Sequence, residues 1–260
     1  MLLTVDIGNT NITLGIFDCE GNYVEEFRLA SDRDLAQKEY ELLLKSLFKD
    51  YKIKDCIISS VVNELNVKFK KAVDNVFELD SLFLTCSIKT GITVGGDNPQ
   101  ECGADRIANA AAVSGKYNKT VIVVDFGTAT TFDIVNEKKE LCGGVIAPGI
   151  KTQLKSLEQM TSKLPEIDVS ISPCAVGNNT KEAILSGVIR GTACMVDGLI
   201  EQCEEELGQK VILVGTGGYC GLISNYMKHK FNEINPILTL EGLKNIYNLN
   251  KHINSPSFIK

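Results

Sequence analysis

Two short runs in this chain carry the same set of chemical groups. Leu2 to Phe17 reads LLTVDIGNTNITLGIF, and Val121 to Val135 reads VIVVDFGTATTFDIV. Shifted by 119 residues, Asp6 falls on Asp125, Gly8 on Gly127 and Thr13 on Phe132. In each run a β-branched apolar stretch ends in an aspartate, with a glycine two positions on. Hydroxyl or amide side chains follow: Asn9, Thr10, Asn11 and Thr13 in one, Thr128, Thr130 and Thr131 in the other. A polyphosphate and its cation require those parts. Glycine lets backbone N–H groups approach anionic oxygens, hydroxyls and amides donate hydrogen bonds, and a carboxylate at the turn holds a metal ion. A single turn of this kind reads equally well as an Asx-type hairpin turn. Two at equivalent positions point to phosphate and cation binding, in an ATP-using enzyme made of a duplicated unit.

Two further groups bear on chemistry. In Asn98-Pro99-Gln100-Glu101-Cys102-Gly103-Ala104-Asp105-Arg106, the proline and Gly103 shape a loop and Asp105 falls in the first turn of the next helix. A carboxylate there complements the helix dipole, which is a complete structural explanation. The functional one makes Asp105 the base that receives a substrate hydroxyl proton, with Arg106 gripping an anionic group. In Val214-Gly215-Thr216-Gly217-Gly218, the glycines after an apolar strand serve either a tight turn or a flat seat for an adenine ring or ribose. Two familiar nucleotide motifs fail. Gly144 to Thr152 reads GVIAPGIKT, with Ile150 between the second glycine and Lys151, and Gly215 to Gly221 spaces its glycines GxGxxxG. Neither a P-loop nor a dinucleotide fingerprint fits.

The elements that must position these groups follow from periodicity. Asn11 to Asp18 continues the first turn as a strand, and Gly21-Asn22 turns it into Tyr23 to Leu29. Ser31 to Phe48 has helical spacing, with Leu35, Leu42, Leu43 and Leu47 as its apolar face. A buried strand at Cys56 to Val62, a helix at Glu64 to Val73 and a short strand within Phe77 to Thr85 precede a loop from Gly91 to Gly103. Ala104 to Tyr117 is a helix of small residues, suited to close packing. The second half repeats the theme with strands at Thr120 to Asp125, Ala129 to Val135 and Glu140 to Pro148. Helices follow at about Lys151 to Leu157 and Asn179 to Glu206, then a strand at Val211 to Val214 and a last helix near Leu240 to Leu249. Strands then helices, twice over, predict an α/β protein of two similar lobes, 1–117 and 118–260, with the active site between them.

Composition narrows the class. Hydrophobic residues make up 44% and charged ones 23%, a globular balance. The net charge of −6, from 27 basic against 33 acidic residues, disfavours nonspecific binding to nucleic acid or anionic membrane. No apolar stretch reads as long enough to span a bilayer, and no leader is visible, so the cytoplasm is expected. Nine cysteines, Cys19, Cys56, Cys86, Cys102, Cys142, Cys174, Cys194, Cys203 and Cys220, never approach a CxxC spacing. They read as reduced thiols, mostly buried. Only His229 and His252 offer imidazoles, which argues against histidine catalysis or a histidine-rich metal site.

Taken together, DIGNT at the N-terminus, NPQECGADR, DFGTATTFD, GGVIAPGI, GNNTKEAILSG at Gly177 to Gly187 and TGG resemble type III pantothenate kinase, in that family's order and over nearly the whole chain. The resemblance implies an actin-like, sugar-kinase-like fold of two ribonuclease-H-like lobes, and a homodimer with active sites near the subunit interface. It implies transfer of the ATP γ-phosphate to the primary hydroxyl of pantothenate, the first step of coenzyme A synthesis. On matching positions, Asp6, Ile7, Gly8, Asn9, Thr10, Asn11, Ile12 and Thr13 form the first phosphate loop, and Asp105 is the proton acceptor. Gly103, Ala104, Asp105 and Arg106 contact pantothenate, and Thr180 reaches it. Thr128 meets ATP, while Gly217 and Gly218 lie on the adenosine side. Asp125 holds a monovalent cation, K⁺ or NH₄⁺, and Mg²⁺ accompanies ATP near Asp6 through water. The family commonly has a tyrosine before its Asp-Asn-Pro triplet, where this chain has Gly96, so a substrate-side aromatic contact is absent or comes from elsewhere. Other readings of the residues are another small-alcohol kinase or phosphohydrolase of the same superfamily, such as a sugar kinase or polyphosphatase, and a nucleotide-binding regulator without catalysis. Retention of Asp6, Asp105 and Asp125 argues against the last.

Overall fold

Leu2, Leu3, Val5 and Ile7 are all buried, so the first strand is covered on both faces and belongs in the middle of a sheet. The computed structural model describes residues 1–85, 87–160, 166–172 and 174–251; Cys86 and His252 lie outside the described residues. The chain forms two compact units. One comprises Met1–Lys116, Lys139–Leu141 and Leu238–Lys260, the other Tyr117–Lys138 and Cys142–Ile237.

In the first unit, β1 (Leu2–Ile7), β2 (Asn11–Phe17) and β3 (Tyr23–Ala30) form an antiparallel meander. After α1 (Gln37–Leu47), β4 (Asp55–Ser60) lies parallel to β1. After α2 (Asn63–Phe77), β5 (Leu82–Phe83) completes the order β3-β2-β1-β4-β5. Glu25, Glu26 and Arg28 line the edge strand β3, where charge discourages pairing with another chain. The stretch expected as a plain loop contains β6 (Thr93–Val94), which pairs with Glu140 and Leu141, and a 3₁₀ turn at Pro99–Glu101 before α3 (Ala104–Val113).

The second unit repeats that plan. β7 (Val121–Phe126), β8 (Ala129–Val135) and β9 (Glu140–Pro148) come first, followed by α4 (Ile150–Met160). A continuous helical run then comprises α5 (Thr180–Leu185), a π turn at Ser186–Arg190 and α6 (Gly191–Leu207). β10 (Ile212–Thr216) lies parallel to β7, and α7 (Cys220–Ile223) and β11 (Glu233–Ile234) follow. Apart from the added β6, which pairs with the start of β9, the order β9-β8-β7-β10-β11 follows that of the first sheet.

The last helix, α8 (Leu238–Asn250), groups with the first unit, whereas the sequence division puts all of 118–260 in the second. Its partner is α3, and the small residues are the reason. A Cβ on Gly242 would sit 1.8 Å from the Ala108 carbonyl oxygen, so the two backbones touch where side chains would otherwise intervene. Leu243 and Ile246 then fill a core with Ile57, Ala108 and Ala111.

Three other expectations change. The buried residues of α1 are Tyr40 and Leu44, while Leu42 is 68% exposed and Leu43 lies at the surface. The helix begins at Gln37 because Ser31–Ala36 is used elsewhere: Tyr40 donates to the Asp32 carbonyl and the Glu39 carboxylate accepts the Ala36 N–H. Leu35 and Leu47 do pack against the core of the first unit, on the side of Tyr40 and Leu44. None of the described cysteines forms a disulfide, but only Cys56 and Cys220 are buried, since Cys19, Cys142 and Cys194 fall at positions that face away from a core. Finally, Thr180–Leu207 spans 28 residues and is apolar enough by composition to cross a membrane, which the small and polar residues scattered through it conceal. Its Val188, Ile189, Ala193, Val196 and Ile200 sit in the core of the second unit, as in the core helix of a folded domain.

Candidate phosphate turns and carboxylates

Each antiparallel strand pair turns back immediately after an aspartate. In the first unit Asp6 stands opposite Thr13 on β2 and beside Ser59 on β4, whose hydroxyl donates to Asp6 Oδ1 at 2.7 Å. Ser59 is fully buried, so this bond fixes the carboxylate from behind. The turn is closed by the Gly8 N–H donating to the Asn11 carbonyl at 3.0 Å, and Asn9, Thr10 and Asn11 are exposed. Ser31, the residue after β3, fastens it twice. Its N–H donates to the Thr10 carbonyl at 3.1 Å and its hydroxyl to the Gly8 carbonyl at 2.5 Å.

The second turn is one residue shorter. Gly127 N–H donates to the Ala129 carbonyl at 3.0 Å, and Asp125 stands opposite Thr131. The equivalence of Thr13 with Phe132, read from a uniform shift, is therefore wrong by one position. Side chains alternate faces along a strand, so one residue decides everything. Thr131 shares the face of Asp125, while Phe132 is fully buried in the core. Thr216 on β10 lies beside Asp125 in register, as Ser59 lies beside Asp6.

Asp105 occupies the first turn of α3, where the Arg106 N–H donates to its Oδ1 at 2.8 Å. Burial pushes its carboxyl above the usual aspartate value, against the opposing pull of the Arg106 N–H and guanidinium. A Cβ on Gly103 would come within 2.5 Å of that carboxylate, so a side chain there would push it from its position. The first phosphate turn and this segment meet the same short stretch: the Val61 N–H donates to the Ile7 carbonyl at 3.0 Å, and Gly103 lies against the Val61 side chain.

In the second unit, Gly217 has φ +87°, and a Cβ there would reach within 2.5 Å of Asp125 Oδ1. The TGG turn thus presses directly on the carboxylate of the second phosphate turn. Burial, with the nearby Asp125 charge adding to it, pushes the neighbouring Cys220 thiol to about 12. A half-buried carboxylate lined by Gly217 and Gly127 suits a weakly hydrated monovalent ion. Asp6, a single carboxylate beside an exposed turn, suits Mg²⁺, which keeps several waters and takes its other ligands from nucleotide phosphates. No group of three or more His, Cys, Asp or Glu side chains gathers among the described residues. His229 instead contacts Asp197 at 3.0 Å.

Thr180 opens α5, whose first turn is capped by Asn179 accepting the Glu182 N–H at 2.9 Å. It lines a groove of about 900 Å³ together with Pro148, Thr152, Leu157, Asn179 and Val188. The supports Ser31 and Ser59 are not evident from the sequence, because their partners are set by chain reversal and strand register.

A family model described as type III pantothenate kinase matches residues 2–202. The chain is 41% identical over 256 residues to the type III pantothenate kinase of Citrifermentans bemidjiense, an alignment covering 96% of this chain and all of that one. Its fold is similar to that of a Campylobacter jejuni protein described as a Baf family transcriptional activator, with a TM-score of 0.60 and 22% identity over 96% of this chain and 99% of that one. It is also similar to the activator of 2-hydroxyisocaproyl-CoA dehydratase from Clostridium difficile with bound ADPNP, with a TM-score of 0.56 and 14% identity over 100% and 99% of the two chains. At such identities these structures speak to the fold alone, which is the actin-like one of mixed sheets flanked by helices.

Proposed function

The chain belongs to the type III pantothenate kinase family, and from that premise we propose how its residues divide the work of phosphorylating pantothenate in coenzyme A synthesis. The lobes, 1–117 and 118–260 apart from the exchange of α8, derive from one duplicated ribonuclease-H-like unit; the matching strand orders support this. Asp6 to Thr13 cradles the ATP phosphates with its exposed amides and hydroxyls, and Thr128 meets them from the second turn. Gly217 and Gly218 flank the adenosine. Gly103, Ala104 and Arg106 orient pantothenate, helped by Thr180, so that its primary hydroxyl faces Asp105. Mg²⁺ near Asp6 and a monovalent cation at Asp125 neutralise phosphate charge when bound.

Phosphoryl transfer through a loose transition state demands alignment more than a strong base, because the hydroxyl proton leaves late. Asp105 meets that demand. The helix N-terminus and Gly103 fix its position, and its raised pKa makes it a better proton acceptor than an ordinary aspartate. Gly96 has φ +89°, a conformation that suits glycine and not an aromatic side chain. With no aromatic side chain at that position, pantothenate recognition rests on Gly103 to Arg106.

The observation that carries this reading is the Asp-x-Gly turn repeated at matching strand ends, with Val61 touching both the end of β1 and Gly103. Its test is ADP release from Mg²⁺-ATP in potassium buffer, with and without pantothenate, the product identified by mass. ADP that depends on pantothenate, with 4′-phosphopantothenate formed, is the expected result; ATP turnover indifferent to pantothenate would defeat it. The homodimer is part of the same proposal. Ile146, Met160, Ile171 and Val176 are 65–82% exposed in the second unit, which also carries the groove at Thr180. Sedimentation at micromolar protein is expected to give the dimer mass, and a stable monomer would refute it.

A further inference from the structure

The segment Gly144 to Thr152 fails as a P-loop, yet two of its residues hold the second phosphate turn. The Thr128 carbonyl accepts the Gly149 N–H at 3.1 Å and the Thr152 hydroxyl at 2.7 Å. A Cβ on Gly149 would lie 2.4 Å from both the Gly127 and the Thr128 carbonyl oxygens, so the segment reaches the turn only because it has no side chain there. The first unit is built alike. There Ser31, also the residue after the third strand, gives an N–H and a hydroxyl to carbonyls of the first phosphate turn. One device appears in both units although the residues that supply it differ: a serine alone in one, a glycine and a threonine three positions apart in the other.

We propose that Thr152 is a positioning residue for nucleotide binding: its hydroxyl holds the Thr128 carbonyl, and so aims the rest of the Gly127-Thr128 turn at the ATP phosphates. This rests on the reading that the turn meets ATP. An oxygen that accepts two donors on one side fixes the peptide plane, and with it the direction of the following N–H group. Gly149 supplies one of the donors through the backbone and cannot be varied without a clash. Thr152 supplies the other from an exposed side chain on the groove wall, where substitution leaves the core untouched. A purely structural role would be felt in stability and equally in the use of both substrates.

Thr152→Val keeps the shape and removes the donor, and Thr152→Ser restores the donor. Steady-state kinetics are expected to show a roughly three- to tenfold higher KM for ATP in Thr152→Val, the range of one lost hydrogen bond. KM for pantothenate and the urea midpoint should hardly change, and Thr152→Ser should recover most of the loss. An unchanged KM for ATP in Thr152→Val, or equal losses in the valine and serine variants, would overturn the proposal. Amide hydrogen exchange of Gly127 to Ala129 in the parent, with and without Mg²⁺-ATP, separates the two levels. Absence of protection there would remove the premise that this turn meets ATP, and the proposal with it. Protection alongside unaltered Thr152→Val kinetics would remove the role of Thr152 alone.

Discussion

Asp105→Asn is expected to lower kcat for pantothenate phosphorylation by roughly 10²- to 10⁴-fold, the usual worth of a positioned acid or base, while unfolding in urea at neutral pH at the same midpoint or a higher one. The two halves of that result have one cause. Burial raises the folded-state pKa of Asp105 above the value of 3.8 for a free aspartate side chain. The folded protein therefore holds this proton more tightly than the unfolded chain, and stability from the protonated form is lost as pH rises through the folded pKa. At neutral pH the ionised carboxylate is a burden on the fold. Asparagine keeps the size and removes the charge, so stability holds or rises while proton acceptance disappears. The acid limb of the parent's pH–rate profile should have its midpoint above the ordinary aspartate value, and the variant should lose that limb. A variant with nearly parental kcat would take Asp105 out of the base role. A variant inactive only because it unfolds would be seen in the urea curve.

Much of the fold and of the site is legible in the sequence because it rests on local pattern. The β-branched apolar runs that end at Asp6 and Asp125, the glycine after each aspartate and the small residues of α3 each speak within a few positions. What escapes depends on residues far apart in the chain. Nothing local says that α8 returns to pack on α3, because the contact of Gly242 with Ala108 joins segments more than a hundred residues apart. Nothing local says that Ser59 will donate to Asp6, since a parallel register brings them together. The face of α1 is misread for a different reason. Leu42 and Leu43 look like core residues by type, but Tyr40 and Leu44 occupy the buried stripe, and surface leucines are common enough that type alone is a poor guide. The one-residue slip between the two phosphate turns shows how far a repeat can be trusted. It finds the aspartates correctly and misplaces the threonine that faces each of them.

Asp125→Ala is expected to abolish activation by K⁺ or NH₄⁺, leaving a low rate that is the same in sodium, potassium and ammonium buffers. Gly217 has φ +87°, and a Cβ there would meet both the Asp125 carboxylate and the Phe126 backbone. A side chain there would be strained by the backbone and would also crowd Oδ1. If that space is a cation cradle, Gly217→Ala should weaken the cation without removing its ligand, raising the concentration needed for half-maximal activation by about 10- to 100-fold, as loss of support around a metal ligand does. The two variants thus give different signatures, no response in one and a displaced response in the other. Titrating activity with KCl at constant ionic strength distinguishes them. Persistent activation in Asp125→Ala would refute the assignment of Asp125 to the cation. A complete loss in Gly217→Ala without any displaced response, in a protein that still unfolds cooperatively, would mean that the glycine serves the turn itself and that the nearness of the carboxylate is only a consequence of tight packing.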